Sequence, residues 1–261
     1  MVGYPYTPKT TLLIWHLLFR NNERITNEAK ALALVARKTI IPIPKLIYHG
    51  FHHDGRRYLV TELVDGARLD RVGKTGCLRP EGQPHGEARL CITCREEAYA
   101  KALAFVENVI LPQLSSLNST ERGIEGFVMP PAWLAPDLTV PWKGKKAFQP
   151  LPLPTPRYIF QHGDLAAHNI MIDKTTLQVK AIIDWEYAGF YPPRWERWPG
   201  TLDRASYLRR TENMASAITE FLAEEYLECC EKWPDQQELR DLVNKKELPD
   251  PVLLKLELGR R

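Results

Sequence analysis

Apolar positions recur along the chain with two periods, and the switches between them divide it into elements. An apolar run over residues 12–19 reads as a buried strand or short core helix, because it is far shorter than the ~20 residues a membrane span needs. After a polar turn at Asn21, Asn22, Glu23 and Arg24, a helix is predicted. Thr26 or Asn27 would cap it, and Ala29, Leu32, Ala33, Val35 and Ala36 form its apolar face. Pro42 and Pro44 end it. A strand over 45–49, a turn at Asp54-Gly55 and a return strand over 57–63 then read as a hairpin, which Asp65-Gly66 interrupts. A helix with antiparallel strands and a punctuated hinge predicts a small α+β lobe ending near Arg68.

Downstream the pattern changes. Residues 71–86 are rich in Gly, Pro and charge and read as a loop or insertion. A helix is predicted over 96–114, with Tyr99, Leu103, Val106, Val109 and Ile110 on one face. Residues 115–157 lack periodicity and carry many prolines, so they read as a long connection. Two short apolar strands flank a polar loop near residue 165, and an aromatic turn follows at 187–196. Helices over 213–230 and 237–246 complete a second, mainly helical lobe. The expected domains are thus 1–68 and 69–261, together forming one two-lobed α+β unit.

Composition narrows the class. The chain has 261 residues, 44% hydrophobic and 26% charged, as in ordinary globular proteins. A formal charge of +3 is too small and dispersed to argue for nucleic acid, and the basic cluster Lys143, Lys145, Lys146 falls in the Pro-rich loop. Five cysteines, with no secretory leader pattern, suit a reducing cytoplasmic compartment, and no membrane partner is expected. Cys91-x-x-Cys94, with Cys77 and His85 upstream, lacks the second close pair of a four-ligand zinc site and reads as thiols near a helix start.

The chemistry concentrates in one stretch. His162-Gly163-Asp164-Leu165 runs to Asn169-Ile170, and Ile182-Ile183-Asp184-Trp185-Glu186 follows after a second β-branched run. A loop offering a carboxylate and an amide, then a hairpin returning a second carboxylate, is what phosphoryl transfer from a metal nucleotide needs. One carboxylate can take a hydroxyl proton while the amide and the other carboxylate hold Mg²⁺. As a plainer alternative, Asp164 and Asn169 serve as turn residues and Asp184 as a strand-end cap. A further alternative joins His162, Asp164 and His168 in a hydrolytic zinc site, but it leaves the Asp184 segment unexplained.

These paired motifs resemble the aminoglycoside phosphotransferase and choline kinase group of small-molecule kinases. Asn27-Glu28-Ala29, Ile41-Pro42-Ile43-Pro44-Lys45, Ile110-Leu111-Pro112-Gln113-Leu114 and the run from Trp185 to Pro192 are similar to a fungal branch of it. The resemblance implies a protein-kinase-like two-lobed fold, ATP and Mg²⁺ as cofactors, and a small-molecule hydroxyl as acceptor. It makes Asp164 the catalytic base and Asn169 and Asp184 the metal ligands. His162 would prop the loop. Glu62 and Leu63 would belong to the hinge that meets adenine, Met171 and Ile183 to its apolar walls, and Glu28 to the nucleotide site. An alternative reading keeps Glu28 as a first-turn residue favoured by the helix dipole. The group's strand lysine and Gly-rich loop have no counterpart: residues 11–19 hold no lysine, and only Gly3 precedes residue 50. The N-terminal lobe is therefore expected to be curtailed. The chain would be a truncated kinase, a non-catalytic kinase-like binding protein, or an enzyme using Lys9 or Arg20 instead.

Overall fold

The computed structural model describes residues 21–74, 76–78, 90–125, 127, 158–246 and 248–259. The run over 12–19, Lys9, Arg20, His85, Lys143 and most of the Pro-rich connection lie outside them. The order of elements is helix α1 (Asn21–Lys38), hairpin strands β1 (Leu46–Phe51) and β2 (Arg57–Thr61), and short strand β3 (Ala67–Arg68). Helix α2 (Ile92–Phe105) continues through a π-helical turn, Val106–Ile110, into α3 (Leu111–Ser116). Strands β4 (Asn118–Ser119), β5 (Tyr158–Gln161), β6 (Ile170–Ile172), β7 (Val179–Ile182) and β8 (Gly189–Tyr191) precede helices α4 (Arg204–Glu231), α5 (Gln236–Asn244) and α6 (Pro251–Leu258). The fold is α+β, as the pattern predicts.

The hairpin forms as expected: β1 and β2 pair antiparallel, and Gly55 supplies the left-handed turn with φ 81°. Helix α1 starts earlier than its expected cap. Asn22 fixes its first turn to the hairpin, donating from Nδ2 to the Gly55 carbonyl at 3.2 Å and accepting the Arg57 N–H at 2.8 Å. Thr26 is thus inside the helix, its hydroxyl bonded back to the Asn22 carbonyl at 2.6 Å. Asn27 is not a cap either but a buried strut bonded to the segment after Asp184.

Two three-stranded antiparallel sheets carry the rest, ordered β3-β6-β7 and β4-β5-β8. The long helix α2–α3 widens at its π-helical turn just before Pro112, whose ring would crowd the carbonyl four residues back in a regular helix. One apolar core joins α1 (Ala31, Leu32, Val35) with α2 and with Phe160, Ile170, Ile182 and Trp185. Burial of such large side chains contributes ~2 kcal/mol each. A second core packs α4, α5 and α6 around Ile218, Tyr226, Leu239 and Leu254.

Helix α4 begins nine residues ahead of its expected start. Asp203 caps it, accepting the Ser206 N–H at 2.7 Å. That early start matters, because the added turns carry Tyr207 and Thr211 to the loop at Asp164. Among the described residues no helix is long and apolar enough to cross a membrane.

Candidate active site

The site rests on a buried histidine between two loops. β5 delivers His162 into the interior at 0% exposure, with its ring against Trp185 at a 4.4 Å centroid distance. The Asp164 N–H donates to its Nδ1 at 3.2 Å, so the other nitrogen carries the proton and donates to the Ile183 carbonyl at 3.1 Å. Burial pushes the imidazole pKa down to about 4, so the ring is neutral at physiological pH. His162 therefore props the loop, as the resemblance implies. With both nitrogens occupied, it cannot also ligate zinc beside His168. Gly163 follows with φ 79°, and a Cβ there would lie 2.3 Å from the Tyr187 carbonyl oxygen, so only glycine fits.

Asp164 is the most heavily bonded group in the site. Its Oδ1 accepts from Arg197 Nη1 at 3.1 Å and from the Tyr207 hydroxyl. Its Oδ2 accepts from Asn169 Nδ2 at 3.0 Å, with His168 Nε2 at 3.3 Å. Burial raises the Asp164 pKa. The hydrogen bonds from His168 and Tyr207 and the Arg197 charge outweigh it and hold the carboxyl below its ordinary range. The Asn169 amide also donates to the Asp164 main-chain carbonyl at 2.9 Å. The amide nitrogen of Asn169 is thereby fixed, and its Oδ1 is the atom left to accept.

The second loop is turned by Asp184 itself, at φ 67°. Asp tolerates this left-handed conformation better than most residues, at a cost of about 1–2 kcal/mol. Neighbours hold it: the Ile183 N–H donates to the Asn169 carbonyl at 3.0 Å, and the Trp185 indole donates to the Ile182 carbonyl at 2.9 Å. Burial first, and then repulsion from Asp164, raise the Asp184 pKa.

Glu28 reaches this loop from α1. Its pKa rises to about 7 through burial and then repulsion from Asp184 and Glu186. Its place is therefore beside Asp184 rather than at a helix end. Arg24, one turn earlier, pairs with Glu186 and lies 5.7 Å from the Tyr187 ring centroid. Asn27, fully buried, donates from Nδ2 to the carbonyls of Glu186 at 2.9 Å and Ala188 at 2.7 Å. Helix α1 thus clamps the turn that follows Asp184.

The expected nucleotide residues divide. Met171 and Ile183 lie on the β6–β7 hairpin that carries the site; Met171 pairs with Arg68 of β3 and Ala181 of β7. Glu62 extends the first hairpin through its N–H to the Lys45 carbonyl at 2.9 Å, and Leu63 is 90% exposed. The segment that follows reaches Met171 through Gly66, where an added Cβ would lie 3.5 Å from Met171 Cε.

Sequence reasoning missed Arg24, Asn27, Arg197 and Tyr207. Arg197 gave one faint signal, a lone cation between Trp195 and Trp198. Its guanidinium is buried over the Tyr207 ring at 4.3 Å and also donates to Thr211 Oγ1 at 2.8 and 3.1 Å. The structure also gathers Cys77, Cys91 and Cys94, whose sulfurs all lie within 4.8 Å of one another.

The donor set suits a hard cation. Asp164 raises the proton affinity of Asp184 and Glu186, these two raise that of Glu28, and Asn169 and Asp184 present oxygen atoms. Mg²⁺ takes such oxygens in preference to nitrogen or sulfur.

Residues 98–224 match the model of the APH phosphotransferase enzyme family. That segment contains Asp164, Asn169, Asp184, Arg197 and Tyr207, whereas Glu28, Glu62 and Leu63 precede it. Among solved structures, the chain is similar to the apo form of a thermostable mutant of aminoglycoside phosphotransferase APH(4)-Ia. Identity is 14%, coverage 91% of this chain and 83% of that one, and the TM-score 0.31. It is also similar to the GDP complex of a mutant aminoglycoside 2'-phosphotransferase, at 14% identity, 87% and 80% coverage, and a TM-score of 0.31. No curated protein matches.

Proposed function

We propose that the chain is a phosphotransferase acting on a hydroxyl of a small molecule, with ATP as donor, in a cytoplasmic setting. The observation that carries this reading is the interlocking of Asp164, Asn169 and Asp184. One amide bonds both the carbonyl and the carboxylate of Asp164 while its own carbonyl side is left to accept, and the next loop returns Asp184 beside them. The match of residues 98–224 to a phosphotransferase family supports it.

Asn169, through Oδ1, and Asp184 would hold Mg²⁺. When bound, the metal supplies positive charge at the nucleotide phosphates. Asp164, ionised at neutral pH, accepts the hydrogen bond of the acceptor hydroxyl and aims its oxygen in line. A carboxylate held below its ordinary pKa is a weak base, so its contribution is mainly orientation. Both its oxygens already meet protein donors, so the acceptor displaces one of them. His168, at 3.3 Å and 41% exposed, is the easier to move. Glu62 and Leu63 would border the adenine, with Met171 and Ile183 as its walls.

A second reading has one observation in its favour. The engagement of Asp164 by Arg197 and Tyr207 also suits a non-catalytic, kinase-like module that binds nucleotide and transfers nothing. Purified protein with Mg-ATP and a panel of hydroxylated metabolites separates the two. ADP release that disappears in Asp164→Asn supports the enzyme. Stabilisation by Mg-ATP without ADP release supports the module.

A further inference from the structure

Three sulfurs from two chain segments meet beside the start of α2. Cys77 lies in the segment that follows the 3₁₀ turn Leu69–Arg71, Cys91 is the N-cap of α2, and Cys94 is in its first turn. Cys91 and Cys94 are fully buried and Cys77 half-buried. The Cys77 and Cys94 sulfurs are 3.6 Å apart, and all three lie within 4.8 Å of one another.

The Cys94 N–H donates to the Cys91 sulfur at 3.4 Å. The cluster also sits at the N-terminus of a fourteen-residue helix, whose dipole favours thiolate. The two segments are pressed together: the Cys91 N–H bonds the Gly73 carbonyl at 2.8 Å, and a Cβ on Gly73 would lie 2.3 Å from the Cys91 carbonyl oxygen.

We propose that Cys77, Cys91 and Cys94 are the sulfur ligands of a structural zinc site that ties the segment after β3 to helix α2. Tetrahedral zinc with Zn–S bonds of about 2.3 Å places its sulfurs about 3.8 Å apart, close to the spacing of Cys77 and Cys94. A disulfide would require a separation of about 2.05 Å and would strand the third sulfur. Zinc binding expels the three thiol protons to solvent, forms three Zn–S bonds, and leaves a fourth position for water or another donor. Its structural effect would reach the catalytic loop, because the 3₁₀ turn Leu69–Arg71 packs on the turn Ala167–Asn169. The site is independent of the phosphotransferase reading and stands or falls without it.

The test is metal content of the whole chain, purified without chelator from zinc-supplied cells and measured by plasma mass spectrometry. Close to one zinc per chain is expected after exhaustive dialysis. Cobalt reconstitution of metal-stripped protein should give intense thiolate-to-metal absorption in the near ultraviolet. Cys77→Ser and Cys94→Ser should lower zinc retention at least tenfold, while Cys230→Ser keeps it. Cys77→Ser is the gentler variant because Cys77 is only half-buried. The wild-type measurement stands even where a variant fails to fold. Wild-type protein without zinc, retention unchanged in Cys77→Ser, or a Cys77–Cys94 disulfide in the purified chain would each overturn the proposal.

Discussion

Arg197 donates from a single nitrogen to the Asp164 carboxylate and to the Gly163 carbonyl, both at 3.1 Å. One buried guanidinium thus sets both the charge and the backbone of the loop. Removing it leaves Asp164 buried beside Asp184 with less to offset its charge. Arg197→Ala is expected to destabilise the fold by about 3–5 kcal/mol, as for other broken buried pairs. Arg197→Lys keeps the charge but loses the fork to Thr211, so it should fold while ADP release falls at least tenfold. Urea denaturation and a coupled ADP assay read the two effects.

Asn27 makes the corresponding prediction from helix α1. Its amide serves two carbonyls in the segment after Asp184, and both become unsatisfied in Asn27→Ala. Loss of about 2–4 kcal/mol is expected, measured as a lower urea midpoint with an unchanged slope. A loss under 0.5 kcal/mol would show that α1 does not clamp the Asp184 segment.

Two groups give the stability curve opposite slopes. Glu28 titrates at about 7 in the native state against an ordinary 4.5, so between those values the native state holds more protons than the unfolded chain. Stability therefore falls as pH rises from 4.5 to 7. Glu28→Gln removes this penalty: it should match wild type near pH 4.5 and exceed it by roughly 2–3 kcal/mol at pH 8. His162 titrates at about 4 against 6.5, so its contribution is complete above 6.5 and declines as pH falls toward 4. Because Glu28→Gln retains His162, the difference between the two stability curves isolates Glu28. Equal curves at pH 8 would contradict the placement of Glu28 beside Asp184.

Gly163→Ala meets two obstacles at once, a left-handed φ of 79° and a contact of 2.3 Å with the Tyr187 carbonyl oxygen. ADP release should fall at least a hundredfold, because the Tyr187 segment and the Asp164 loop cannot both keep their places. Circular dichroism and activity measured on the same sample separate loop damage from unfolding.

What could be read from the sequence is what acts over short spans. Asp164, Asn169 and Asp184 stand in one interval with strand residues around them, and the local spacing carries the chemistry. Arg197 and Tyr207 act across 33 and 43 residues, and Asn27 across 159, where neither periodicity nor motif records a partner. Helix α1 starts earlier than its local pattern predicts for the same reason: Asn22 is held by a hairpin more than thirty residues away. The three cysteines look irregular in sequence because their shared position depends on how the segment after β3 returns to α2.

The central claim is that Asp164, Asn169 and Asp184 move a phosphoryl group to a hydroxyl. Phosphorus-31 NMR of the chain with Mg-ATP and hydroxylated metabolites tests it most directly. The prediction is a new phosphomonoester signal with wild-type protein and none with Asp164→Asn or Asp184→Asn. A signal that persists in Asp164→Asn, or wild-type protein that binds Mg-ATP yet forms no phosphomonoester with any acceptor, would contradict it.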